Sequence, residues 1–146
     1  MWQRASPVAE RLVGVWQLVS MTTTGPDGPA EPMWQQPVGT LVYTPGRMAT
    51  IIGRADLPRI DPAGDVAVED ALAFVRGFIA YYGEWVLDEG RGAVIHRVRY
   101  SSYAPLLGAD QVRFYHFEAE HLTLRPQKAA GERYAELTWR KVTDGW

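Results

Sequence analysis

The sequence predicts an all-β chain of eight antiparallel strands with one short helix. Three observations carry that prediction. Short segments rich in Val, Thr, Tyr and Trp alternate in polarity and are bounded by Gly-, Pro- and Asp-rich turns. Helical periodicity is confined to one internal stretch. The length, 146 residues, suits a single domain spanning 1–146 with a full core. A two-sided sandwich and a closed barrel both fit this pattern. Closure removes the sheet edges, and eight strands enclose room for side chains or one small ligand, so the barrel is preferred.

Ser6-Pro7 reads as a helix N-cap followed by proline at the first helical position, opening a short turn through about Leu12. Gly14 to Thr23 alternates and reads as the first strand. Gly25 to Pro37 is punctuated by prolines and Asp-Gly and reads as a long loop. Val38–Thr44 and Arg47–Gly53 form a hairpin, with Pro45-Gly46 at the centre of a type II turn. Val68, Ala71, Leu72, Val75, Phe78 and Ile79 recur at helical spacing and predict a helix of about 12 residues. Asp65, Glu69 and Asp70 lie near its N-terminal end, where the helix dipole favours negative charge. Strands follow over about Ile79–Leu87, Ala93–Tyr103, Gln111–Glu118, Leu122–Arg125 and Tyr134–Val142.

Composition excludes whole classes of function. The net charge of -2 leaves no polybasic groove for nucleic acid. The absence of Cys removes thiol nucleophiles, thiolate metal sites and disulfides, and it fits a reducing cytoplasm. No apolar run approaches the ~20 residues of a membrane span, and no signal-peptide pattern opens the chain, so a cytoplasmic protein is expected. The three His show neither His-x-His nor His-Glu-x-x-His spacing, so no metal and no cofactor are expected. Walker loops, dinucleotide fingerprints and Gly-x-Ser-x-Gly elbows are missing as well. What stands out is the surplus of rings: six Trp, seven Tyr and four Phe.

Gly14-Val15-Trp16, the hairpin Gly39-Thr40-Leu41-Val42-Tyr43-Thr44-Pro45-Gly46-Arg47-Met48, and Tyr81-Tyr82-Gly83-Glu84-Trp85 form an ordered series of segments. His96-Arg97-Val98, Gln111-Val112-Arg113, Leu122-Thr123-Leu124 and Leu137-Thr138-Trp139-Arg140 continue it. Over about residues 10–142 this series resembles the lipocalin-like domain family, the small stand-alone bacterial proteins in particular. The resemblance implies a calycin-type eight-stranded barrel. It also implies that Trp16 closes one end against a late-strand Arg, for which Arg140 is the nearest candidate. Met33-Trp34 matches no family motif and lies in a loop that would form the barrel mouth.

Strand alternation then assigns faces. Taking Gly14 and Trp16 as inward adds Leu18 and Ser20; the hairpin gives Gly39, Leu41, Tyr43, Met48, Thr50 and Ile52. Tyr81, Gly83 and Trp85 follow, then His96, Val98 and Tyr100, because burying Arg97 and Arg99 would be costly. On the sixth strand hydrophobicity alone would bury Val112, Phe114 and His116, whereas the resemblance favours Gln111, Arg113, Tyr115 and Phe117 inside. The last strands add Leu122, Leu124, Leu137 and Trp139.

The expected lumen is therefore apolar and aromatic with a few placed polar groups, as in a small-molecule pocket. His96, Arg113 and Tyr115 are the candidate catalytic residues. Candidate ligand contacts are Tyr43, Met48, Thr50, Tyr81, Trp85, Val98, Tyr100, Gln111, Phe117 and Trp34. Each has a plainer reading as core packing, and a dry core would need partners for every Tyr and Trp polar tip. His116 and His121 are expected at the surface, and Glu118 and Glu120 as solvated residues flanking a turn. Small bacterial lipocalin-like proteins include polyketide cyclases, so the resemblance allows a cofactor-independent cyclase, with pericyclic ring closure in natural-product biosynthesis as one form. A non-catalytic carrier of an apolar metabolite would show the same pocket. The expected partner is a hydrophobic small molecule, with a homodimer through exposed rings such as Trp2 or Trp146 as a further option.

Overall fold

The computed structural model describes residues 6–127 and 131–143, so Trp2 and Trp146 lie outside the described residues. Helix α1 spans Pro7–Leu12, capped by Ser6 Oγ, which accepts from the Ala9 amide at 3.2 Å. Nine strands follow: β1 Gly14–Gly25, β2 Gly28–Pro29, β3 Pro37–Thr44, β4 Arg47–Arg54, β5 Phe78–Asp88, β6 Ala93–Ser101, β7 Asp110–Glu118, β8 His121–Pro126 and β9 Tyr134–Lys141. Helix α2, Val68–Val75, links β4 to β5, and a 3₁₀ turn at Ala104–Leu106 links β6 to β7. The strands pair antiparallel in the order β1-β3-β4-β5-β6-β7-β8-β9, and β9 returns to β1. This closes an eight-stranded barrel of the lipocalin-like kind, with β2 as a two-residue extension that folds back on the end of β1.

α1 closes one end. Its Leu12 is fully buried, the Trp16 indole N–H donates to Leu12 O at 2.8 Å, and Arg11 reaches the β7–β8 turn through Ala119 O at 2.9 Å. The ring of Trp16 is covered by Lys141 rather than Arg140. Lys141 Nζ sits 5.0 Å from the ring centroid and donates to Arg11 O and Val13 O at 2.8 and 3.0 Å. The pairing of Trp16 with Lys141 across β1 and β9 puts the lysine there, and Arg140 turns outward to Gln17. Gly46 takes a φ of +78° in the β3–β4 turn, the left-handed conformation that a type II turn demands.

Three expectations are corrected. The helix is eight residues long and ends at Val75, because Phe78 and Ile79 already belong to β5; Phe74 instead packs edge-on against Phe78 at 5.6 Å. The strand expected to reach Tyr103 ends at Ser101, where the chain turns into the 3₁₀ segment containing Pro105. Two β-bulges also shift the alternation. One lies on β1 between Leu18 and Ser20, and turns Ser20 outward while Met21 and Thr23 face in. The other shifts the β5–β6 register so that Gly83 pairs with Val98 but Tyr82 pairs with Tyr100, which is 64% exposed.

Candidate functional site

The two halves of the barrel differ in filling. Near α1 the interior is packed solid by Leu12, Trp16, Tyr43, Met48, Trp85, Val94 and Leu122. Large rings account for this: Tyr43 meets Trp85 edge-on at 5.1 Å, and the Trp85 indole N–H donates to Thr44 O at 2.8 Å. An eight-stranded barrel is narrow enough for such side chains to fill it. Toward the opposite end a cavity of about 580 Å³ opens to the outside.

Its walls are mainly apolar: Leu41, Ile52, Ile79, Leu106, Leu124, Leu137 and Trp139, with Met21 and Thr23 from the shifted end of β1. Glu31, Met33 and Trp34 from the β2–β3 segment join Glu132, Arg133 and Tyr134 around it. Trp34 is buried, and its indole N–H donates to Arg76 O at the end of α2 at 3.3 Å, which ties the loop to the helix. The Trp139 indole nitrogen is buried with no hydrogen-bond partner among the described residues.

Polar groups converge at the depth of the cavity, where Tyr81, His96, Arg113 and Thr50 contribute to its walls. His96 lies at the middle of β6, 2% exposed, between two phenols. Tyr43 Oη stands 2.5 Å from Nε2 and Tyr81 Oη 2.7 Å from Nδ1. Burial, and secondarily the charge of Arg113, lowers the His96 pKa to about 3, so the ring is neutral. Burial raises Tyr81 to about 12 and Tyr43 well above the usual phenol value, with Arg113 opposing both shifts. Arg113 itself is half-buried and donates to Gln111 Oε1 at 2.9 Å and to Val112 O at 3.0 Å. Among the described residues it has no carboxylate partner.

Of the residues singled out by sequence, His96, Arg113, Tyr81, Thr50 and Trp34 come together at the cavity. Tyr43 touches it only through His96, and Gln111 stands behind Arg113. Besides Tyr43 and Gln111, six more of these residues are not walls of the cavity. Met48, Trp85 and Val98 are buried in the packed core, and Tyr100 lies outside on Tyr82, ring centroids 6.0 Å apart, because of the bulge. Tyr115 and Phe117 follow Arg113 on the same face, but each two-residue step moves about 6.6 Å along the strand toward α1. They end in the packed half, where Tyr115 lies within the field of Glu89 and Asp88, and Arg11 covers Phe117 at 4.2 Å.

Met21, Thr23 and Leu106 were missed as wall residues. Their signals, a bulge and a 3₁₀ turn, leave no trace in hydrophobic periodicity. His116, Glu118 and Glu120 are exposed. Among the described residues no cluster of His, Asp or Glu could hold a metal ion, and no helix is long and apolar enough to cross a membrane. A barrel with this cavity fits the binding of a small hydrophobic molecule. A family model described as a lipocalin-like domain matches residues 13–142. No curated protein matches the chain.

Proposed function

Since the chain belongs to the lipocalin-like domain family, we propose that its cavity takes up a largely apolar, polyketide-like molecule and acts on it as a cofactor-independent cyclase. The observation that carries this reading is the contrast between the apolar walls and the polar cluster of Tyr81, His96 and Arg113 at the depth of the cavity. A ligand with an apolar body and one carbonyl or anionic end would match that contrast, with Arg113 supplying a charge that no carboxylate among the described residues neutralises.

The pKa shifts limit the chemistry. A general acid or base works best with a pKa near the operating pH, and His96 near 3 and Tyr81 near 12 both lie far from neutrality. The site therefore offers hydrogen bonds, fixed charge and confinement rather than proton transfer. Ring closure by a pericyclic route fits those means, because it forms carbon–carbon bonds while every proton stays in place. Confining a flexible chain in a reactive conformer lowers its barrier, and donors aimed at a conjugated carbonyl add polarisation.

The same absence of a tuned acid or base favours a second reading, a carrier that binds the molecule unchanged. The protein is incubated with linear polyenes bearing a carboxylate or ketone end, and products are followed by chromatography with mass detection. A new peak of unchanged mass means cyclase. Stoichiometric quenching of tryptophan fluorescence without conversion means carrier, with Trp34 and Trp139 in the walls as reporters. Neither response overturns both.

A further inference from the structure

The geometry points to a fixed direction of hydrogen bonding through the cluster: Tyr43 donates to His96, His96 donates to Tyr81, and Tyr81 presents its own O–H to the ligand. Tyr81 is thereby the specificity-determining donor, and the cavity selects molecules whose inner end carries an acceptor.

The number of available protons sets the direction. A neutral imidazole has one donor and one acceptor nitrogen, and each phenol has one donor hydrogen. Tyr43 is 1% exposed and does not line the cavity, and His96 Nε2 is its only hydrogen-bond partner among the described residues. If Nε2 carried the hydrogen, it would donate to Tyr43, whose own O–H would then point at nothing. An orphaned buried donor disfavours that arrangement by about tenfold or more. With Tyr43 donating to Nε2, the hydrogen must sit on Nδ1 and be donated to Tyr81 Oη, 2.7 Å away. The hydrogen of Tyr81 then has no place on His96. Tyr81 lines the cavity, so its hydrogen is free to bond a guest there. In this direction the one hydrogen left over is that of Tyr81, which faces the cavity, whereas in the other it is that of Tyr43, which is sealed in the core. Hydrogen bonds in series polarise one another, so Tyr81 becomes a stronger donor than a lone phenol. His96 and Tyr43 are positioning residues here, since they act on a guest only through Tyr81.

This inference rests on the cavity being a ligand site, and two measurements separate the failure of one from the failure of the other. Nitrogen-15 NMR of the His96 ring in the unliganded protein is expected to show hydrogen on Nδ1 and a bare Nε2 between pH 5 and 8. Hydrogen on Nε2 overturns the proposal whatever the ligand. Binding is then read by NMR titration with 2-octanone and with octane. The ketone is expected to bind about tenfold more tightly than the alkane. Tyr81→Phe should abolish that preference. A preference that survives in a folded Tyr81→Phe protein overturns the assignment of Tyr81. If neither probe binds, the cavity reading fails, and the ligand half of this inference fails with it.

Discussion

Tyr43 and His96 meet in the interior with 2.5 Å between Oη and Nε2, and neither is more than 2% exposed. A histidine held this way titrates far below its ordinary value, and stability must follow. The unfolded chain gains its proton near pH 6.5, the folded chain only near 3. Between those values the unfolded state binds more protons, so stability rises with pH across the window and falls as the pH drops from 6.5 toward 3. The expected slope from this one group reaches about 1.4 kcal/mol per pH unit. Urea unfolding of the wild type and of His96→Gln at a series of pH values checks it, because the variant lacks that part of the slope. Equal slopes would refute the buried neutral ring.

Arg113 opposes protonation of the same ring from a distance, but as the smaller of two causes. Arg113→Met should raise the His96 pKa while leaving it below the ordinary value, since burial persists. An NMR titration of the ring reads the shift directly. A pKa that does not move, or one that recovers fully, contradicts the ranking of causes.

Trp16 and Trp139 are both 2% exposed, yet their indole nitrogens differ. Trp16 donates to Leu12 O, whereas Trp139 has no acceptor among the described residues. Trp→Phe should therefore cost about 1–2 kcal/mol more at position 16 than at 139, the value of a buried bond and its stranded carbonyl. Denaturant unfolding of the two variants decides it; equal losses would mean that the bond contributes nothing.

Gly83 and Gly46 make a matched test of space against backbone conformation. A Cβ on Gly83 would overlap the carbonyl oxygen of Arg97, with the carbonyl carbon at 2.8 Å, whereas one on Gly46 meets nothing within 4 Å. Gly46 has a φ of +78°, so Gly46→Ala should cost about 1 kcal/mol of strain. Gly83→Ala must push β5 from β6 and should cost about 3 kcal/mol. Thermal or denaturant unfolding would show the order, and a reversed order would contradict the close approach at the bulge.

The barrel itself was legible because its signals are local. Alternation, Pro-Gly and Asp-Gly turns and the Ser-Pro cap place all eight barrel strands within about two residues of their observed ends. The depth of the site was legible too, because Arg97 and Arg99 fix which face of β6 turns inward, and His96 follows. The walls were less so. Whether Trp85 and Met48 fill one end, leaving Tyr81 to face a cavity, depends on how far along the barrel each inward residue sits, which alternation does not encode. Tyr100 and Ser20 were misassigned for another reason. One extra residue in a strand inverts every later face, and nothing in the side chains around Val19 or Arg99 announces it.

Those two irregularities give the barrel a property that regular strands lack. On β1 the even-numbered Gly14, Trp16 and Leu18 belong to the interior near α1, and the odd-numbered Met21 and Thr23 to the cavity. On β6 the inward series Val94, His96, Val98 stops before Tyr100, which leaves the interior altogether. These strands thus carry two reading frames, one for each end, joined at a hinge of a single residue. An insertion or deletion at the hinge re-addresses the mouth while the sealed end keeps its own frame. The half that folds the chain and the half that meets a guest can thereby change at different rates.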